Sequence, residues 1–178
     1  MATTASTKVI TGTVRFSYEH VFEPTAMQEG QEPKYNICLL IPKDDEKTIA
    51  KINAAIELAI ANGMDKVGKN GKVAPGIKMP LRDGDTEREE EAFEGHYFVN
   101  ASSKLKPQIV DADLNPIMSR DEFYSGCYGR ASINFYAFNV SGNRGIACGL
   151  NNLQKLEDGE SLAGSTSAAA DFGDDDLM

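Results

Sequence analysis

No other stretch constrains the fold as much as residues 128–140, Y-G-R-A-S-I-N-F-Y-A-F-N-V. Side chains alternate across a β-strand, so Ala131, Ile133, Phe135 and Ala137 share one face while Arg130, Ser132, Asn134, Tyr136 and Phe138 share the other. The first set is a core face and demands a layer to cover it. The second combines a guanidinium, small polar groups and aromatic rings, the chemistry that holds unpaired bases and their phosphates. An ordinary half-buried strand with its outer rings under a loop accounts for the same pattern, so the rest of the chain has to decide.

Residues 8–22, K-V-I-T-G-T-V-R-F-S-Y-E-H-V-F, predict a strand with Ile10, Val14 and Phe16 on one side and Thr11, Thr13 and Arg15 on the other, bent at Gly12. Residues 34–41, K-Y-N-I-C-L-L-I, predict a buried strand stopped by Pro42. One substantial helix is expected over 43–62. Asp44 or Asp45 caps it, Ile49, Ile52, Ile56 and Ile60 form its apolar stripe, and Asn62-Gly63 ends it. Packing explains all of these residues, and no chemistry is assigned to them. Residues 68–72, G-K-N-G-K, read as a flexible basic loop; a P-loop would need Ser or Thr after Gly71-Lys72, and Val73 stands there. Residues 96–104, H-Y-F-V-N-A-S-S-K, repeat the two-faced pattern, with Tyr97, Val99 and Ala101 inward and His96, Phe98, Asn100, Ser102 and Lys104 outward. Short strands at 107–111 and 114–118 around D-A-D-L-N-P, a turn at S-G-N-R-G and a last strand over 146–156 complete the pattern.

The net charge of −9 argues against a polyanionic partner until its distribution is considered. Of 27 acids and 18 bases, seven acids lie between Asp83 and Glu94 beside the lone Arg88, and seven more lie from Glu157 to the end with no base, so the remainder is mildly basic. Asp83, Asp85 and Glu87 open a metal-dependent nuclease reading, but their spacing does not match an EF-hand loop and His20 and His96 are isolated. A solvated acidic loop or short helix explains the same residues. Cys38, Cys127 and Cys148 form no C-x-x-C pair and read as small apolar positions. The N-terminus carries no hydrophobic leader and no apolar run approaches 18 residues, so a cytoplasmic location without membrane contact is expected. Beyond Glu157 the apolar pattern stops, and the tip D-F-G-D-D-D-L-M sets apolar anchors among acids as an interaction tail does.

The blocks K-V-I-T-G-T-V-R-F-S-Y, C-L-L-I-P-K, L-R-D-G-D, Y-F-V-N-A-S-S-K-L-K-P-Q-I-V-D, Y-S-G-C-Y-G-R-A-S-I-N-F-Y-A-F and G-N-R-G-I-A-C-G-L-N-N-L-Q-K-L-E-D-G-E occur in that order. Together they resemble a family of bacteriophage proteins, formerly a domain-of-unknown-function family, whose members bind single-stranded DNA with an OB-fold core. The resemblance spans residues 8–160. The tail is similar in style to the acidic tips of bacterial and phage single-strand binding proteins, but Leu177-Met178 follows three aspartates without the proline of the common bacterial form.

The fold expected is mainly β, an OB-fold-type antiparallel barrel with one substantial helix and a disordered acidic C-terminal tail. Residues 1–7 are assigned to a disordered N-terminus, 8–157 to the binding domain and 158–178 to the tail. The function expected is non-catalytic, sequence-independent binding and protection of single-stranded DNA in phage replication or recombination, with no cofactor or metal and with self-association on DNA as a further expectation. Tyr35, Phe98, Tyr128 and Tyr136 are the stacking candidates, Arg15, Lys104, Lys106, Arg130 and Arg144 the phosphate contacts, and Asn100 and Asn134 the polar contacts. The strands 96–104 and 128–140 are expected to share one surface. Asp171, Phe172, Asp174, Asp175, Asp176, Leu177 and Met178 are expected to compete for the DNA groove and to recruit phage or host replication and recombination proteins. A structural phage protein without DNA binding is the remaining alternative beside the nuclease.

Overall fold

The computed structural model describes residues 6–26, 30 and 32–162. Its ten strands are β1 (Lys8–Ile10), β2 (Val14–Thr25), β3 (Lys34–Pro42), β4 (Gly68–Lys69), β5 (Lys72–Val73), β6 (Arg82–Asp83), β7 (His96–Ser103), β8 (Gln108–Val110), β9 (Tyr128–Val140) and β10 (Asn143–Glu157). Three α-helices, α1 (Glu46–Asn62), α2 (Met64–Val67) and α3 (Gly84–Glu87), and a 3₁₀ turn at Glu91–Phe93 lie between them.

Five long strands close into a ring. β2 pairs β3, β3 pairs β7, β7 pairs β10, β10 pairs β9, and β9 returns to β2. All these pairs are antiparallel except β7 with β10, which is parallel. That ring order and single parallel seam are those of an OB-type barrel, which removes free sheet edges by closure. β1 extends β2 along β9, Val9 facing Ile133, and the chain breaks between them at Gly12 as the sequence predicts. Gly12 donates its N–H to Thr48 Oγ1 at 2.9 Å, and a Cβ there would lie 2.7 Å from Asp45 Oδ2, so the bend is also where the barrel meets α1.

The alternation in β9 is as predicted. Ala131, Ile133, Phe135 and Ala137 are buried and join Phe16, Ile37, Leu39, Val99, Ile146 and Leu150 in the main core. α1 starts at Glu46 rather than residue 43, because Asp45 accepts the Thr48 N–H and the Lys43 N–H is bonded to Gly95 O instead. Its Ile52, Ala55, Ile56 and Ala59 enter the same core, while Ile49 and Ile60 flank it. The helix lies between the second and third ring strands, an insertion into the plain OB order, which places its helix between the third and fourth.

Residues 68–72 are a hairpin and not a loop. Asn70 (φ 56°) and Gly71 (φ 79°) both take left-handed backbone between β4 and β5, the conformation Asn-Gly favours in two-residue turns. Cys38, Cys127 and Cys148 are buried and free, with the Cys38 thiol pushed up to about 12 by burial. Asp158–Leu162, assigned to the tail from sequence, is laid against the barrel. The Tyr124 hydroxyl lies within hydrogen-bond distance of Asp158 Oδ1 at 3.0 Å and Gly159 O at 2.9 Å, Arg15 donates to Glu160 O at 2.8 Å, and the Leu162 N–H bonds Ser125 O at 2.8 Å. The seven tail-tip residues named above lie outside the described residues.

Candidate nucleic-acid interface

β3 is apolar on both faces for a structural reason. Ile37, Leu39 and Ile41 enter the barrel, and Cys38 and Leu40 point outward into a second, smaller core with Phe93 and Phe98. The acidic stretch 82–95 folds across the outside of β3 and β7 and supplies Phe93 as the lid. It is tied down by its own acids. Lys43 Nζ lies 2.8 Å from both Asp83 and Asp85, Asp85 also accepts the Gly95 N–H at 2.9 Å, and Arg82 pairs with Glu87. Hydrogen bonds from Lys43 hold the Asp83 and Asp85 carboxyls below their usual range, and Arg82 does the same for Glu87. The three carboxylates of the nuclease reading are thus spent on staples. Among the described residues no cluster of three or more His, Cys, Asp or Glu could hold a metal ion.

The lid covers only half of the β2–β3–β7 face. In the open half a depression of about 340 Å³ is lined by Tyr18, His20, Asn36, Cys38, Arg88, Asn100 and Ser102. It continues, through the shared Asn36 and Ser102, into a recess of about 480 Å³ with Lys34, Lys104, Glu32 and Val140 on its walls. A third recess, on the other side of Tyr18, carries Glu19, Glu90, Glu91 and Leu162. The trough therefore has a basic end and an acidic end. Asn36 faces Ser102, and Cys38 faces Asn100, in direct register across β3 and β7.

Tyr18 stands where the β2–β3 register slips between Ser17 and His20. Its φ of 48° is left-handed, a conformation costing a non-glycine residue about 1 kcal/mol or more, and the bulge aims its ring outward with 49% of the residue exposed. The Arg88 guanidinium carbon lies 4.4 Å from the Phe93 ring centroid, 5.2 Å from Tyr18 and 5.8 Å from Phe98. Arg88 also pairs with Glu90 and donates to the Tyr18 hydroxyl at 3.0 Å, and that hydroxyl donates to Glu90 Oε2 at 2.7 Å. The hydrogen bond to Glu90, with burial, raises the Tyr18 pKa.

The sequence-chosen residues divide between different surfaces. Asn100 and Lys104 line the trough, Lys104 within 3.4 Å of Glu32. Phe98 lies on the outer face as predicted but is 4% exposed, stacked edge-on against Phe93 at 5.2 Å, so its ring is not free for stacking. Tyr35 is half-buried at inward parity, opposite Ser103. Lys106 lies 5.9 Å from the Phe22 ring. Arg15 and Tyr128 stack at 5.4 Å and hold residues 126 and 158–162 in place, Arg15 bonding Gly126 O at 3.1 Å.

Strands 96–104 and 128–140 meet only at Val140, the end of β9, on the wall of the basic recess, and the outer faces that carry Phe98 and Asn100 on one and Arg130, Asn134 and Tyr136 on the other do not share a surface. β10 separates β7 from β9 on one side, and β3 and β2 on the other. In a five-stranded ring the outward directions of next-but-one strands diverge by about 144°. On β9, Arg130 donates to Thr11 O at 2.9 Å, Asn134 lies over Gly149 of β10, and Tyr136, 43% exposed, stands beside Gly63 and Lys66 at the end of α1. Arg144 is half-buried on β10, and its Nε has no partner. The sequence reading missed Tyr18, His20, Lys34, Asn36 and Arg88. Asn36 had a signal, as a polar residue that shares the outer face of β3 with Lys34, Cys38 and Leu40, whereas the bulge that re-aims Tyr18 had none.

A model of the family described as "Enterobacter phage Enc34, ssDNA-binding protein" matches residues 7–178. The chain is 31% identical over 173 residues to protein p50 of Acyrthosiphon pisum secondary endosymbiont phage 1, covering 94% of this chain and 93% of that one. The single-stranded DNA-binding protein of bacteriophage Enc34 in complex with ssDNA superposes with a TM-score of 0.76 at 28% identity over 88% of this chain and 89% of that one. Bacteriophage T7 gp2.5, a single-stranded DNA-binding protein, shares the fold at a TM-score of 0.62 and 14% identity, over 92% and 99% of the two chains.

Proposed function

Because the chain belongs to the family of the Enterobacter phage Enc34 single-stranded DNA-binding protein, we propose that it binds single-stranded DNA along the open half of the β2–β3–β7 face. The observation that carries this path is the trough itself. One exposed ring, Tyr18, offers a base a stacking surface, Asn36, Asn100 and Ser102 offer hydrogen bonds along the floor, and Lys34 and Lys104 follow the phosphates at the basic end. This is also the face, bounded by the first–second and fourth–fifth strand loops, with which OB folds take oligonucleotides. The acids at the other end, Glu19, Glu90 and Glu91, repel phosphates and direct the strand toward Lys34 and Lys104.

Binding is non-catalytic, and its role is to cover and protect single strands during phage DNA replication or recombination in the host cytoplasm. The acidic tail continues from Leu162, which packs beside Phe93 at the edge of the trough, so residues 163–178 start next to the path of the strand. Asp171, Phe172 and Asp174–Asp176 imitate phosphates around a base, compete for the trough, and on release engage replication or recombination proteins. Anisotropy titrations with single- and double-stranded oligonucleotides test the reading. Expected are preference for the single strand, log K falling against log[salt] with a slope near −0.7 per phosphate neutralised, and tighter binding after deletion of residues 163–178. No shift with either nucleic acid would return the protein to a purely structural role.

A further inference from the structure

The Arg88 guanidinium is the strongest charge in the open depression, yet it is already engaged on the side that faces solvent. It lies among the rings of Phe93, Tyr18 and Phe98, and Glu90 accepts its hydrogen bonds, with Nε 2.9 Å from Oε1. Glu90 is exposed, and its other oxygen accepts the Tyr18 hydroxyl. One carboxylate thus restrains the two groups of the trough best suited to a nucleotide, the cation that would take its phosphate and the ring that would take its base.

We propose that Glu90 is an internal gate on Arg88, occupying the place of a backbone phosphate, and that strand binding transfers the guanidinium from Glu90 to the DNA and frees the Tyr18 ring to stack. The geometry suits an exchange and not a simple addition. A guanidinium presents its donors in one plane and matches carboxylate and phosphate oxygens alike, so a phosphate arriving from the basic end meets Arg88 already oriented by the rings beneath it. The carboxylate left behind is solvent-exposed and loses little on release. Glu89, next in the chain and also exposed, is not the carboxylate that holds Arg88 and Tyr18 and serves as the matched charge control.

This inference rests on the path proposed above. The test compares Glu90→Gln, Glu89→Gln and Arg88→Ala, singly and with each Gln change placed on the Arg88→Ala background, in titrations of full-length protein with oligothymidylate. Near-physiological salt keeps screening within about 8 Å. Glu90→Gln should tighten binding by about two- to fivefold, the range an exposed ion pair can withhold, while Glu89→Gln changes it much less. Arg88→Ala should weaken binding, flatten the salt slope by about 0.7, and abolish the gain from Glu90→Gln. Equal gains from the two Gln variants, or a Glu90→Gln gain that persists without Arg88, would overturn the gate. Glu90→Gln is isosteric and exposed, so the decisive comparison does not depend on the Arg88→Ala fold, and thermal unfolding of each variant checks this. A wild-type protein that binds no oligonucleotide removes the parent reading and the gate together, whereas binding without the Glu90-specific gain removes the gate alone.

Discussion

The outer faces of β7 and β9 carry the same sequence pattern and have different fates. Each strand alternates small or apolar residues with a polar and aromatic set, Phe98, Asn100 and Ser102 on one and Asn134, Tyr136 and Phe138 on the other. On β7 the aromatic member is sealed under Phe93 and Arg88, and the polar members line a trough. On β9 the aromatic member stands open beside the end of α1, and the polar one lies across the backbone of Gly149. Alternation decides which side chains leave the barrel. What they meet outside depends on ring order and on the segment inserted between β3 and β7.

The largest contrast should appear in stability. Phe98→Ala should lower unfolding free energy by about 3–5 kcal/mol, the usual range for emptying a buried aromatic site, whereas Tyr136→Ala should stay within about 1 kcal/mol in the same denaturant titration. Similar losses at both would mean that the two faces are packed alike. Binding should reverse the ranking of the rings. Tyr18→Ala is expected to weaken single-strand affinity by about 10- to 100-fold, as loss of one stacked base would, while Tyr136→Ala leaves it within about twofold. A large loss at Tyr136 would move the strand to β9. The smallest difference is electrostatic. Lys104→Ala should flatten the salt dependence of binding by about 0.7 in log–log slope, and Arg130→Ala should leave the slope unchanged.

Most of the barrel was legible because its strands obey period two and its breaks fall at Gly12, Pro42, Gly63 and Ser141-Gly142. The hairpin at 68–72 was legible too, since Asn70-Gly71 demands left-handed backbone, but lysines drew attention to charge instead of conformation. The site was less legible because it is built from non-local facts. Arg88 reads as a stray base in an acidic run until the staples through Lys43 and Arg82 fold that run onto β3 and β7. Tyr18 reads as one more position in a regular strand, and only the slip against β3 turns its ring into the trough. Arg15 and Tyr128 were attractive by residue type, but they meet each other and the chain leaving β10.

The parallel seam of the barrel has a dynamic consequence. β7 and β10 are in register at only two pairs, Ala101 with Cys148 and Ser102 with Gly149, against thirteen between β9 and β10. Parallel pairing is also slightly less stable per residue than antiparallel pairing, so the seam is weak on both counts. The seam is accordingly where the closed ring should breathe first. Amide exchange should be faster there than in the β9–β10 ladder, and a strand lying over Ser102 would slow it.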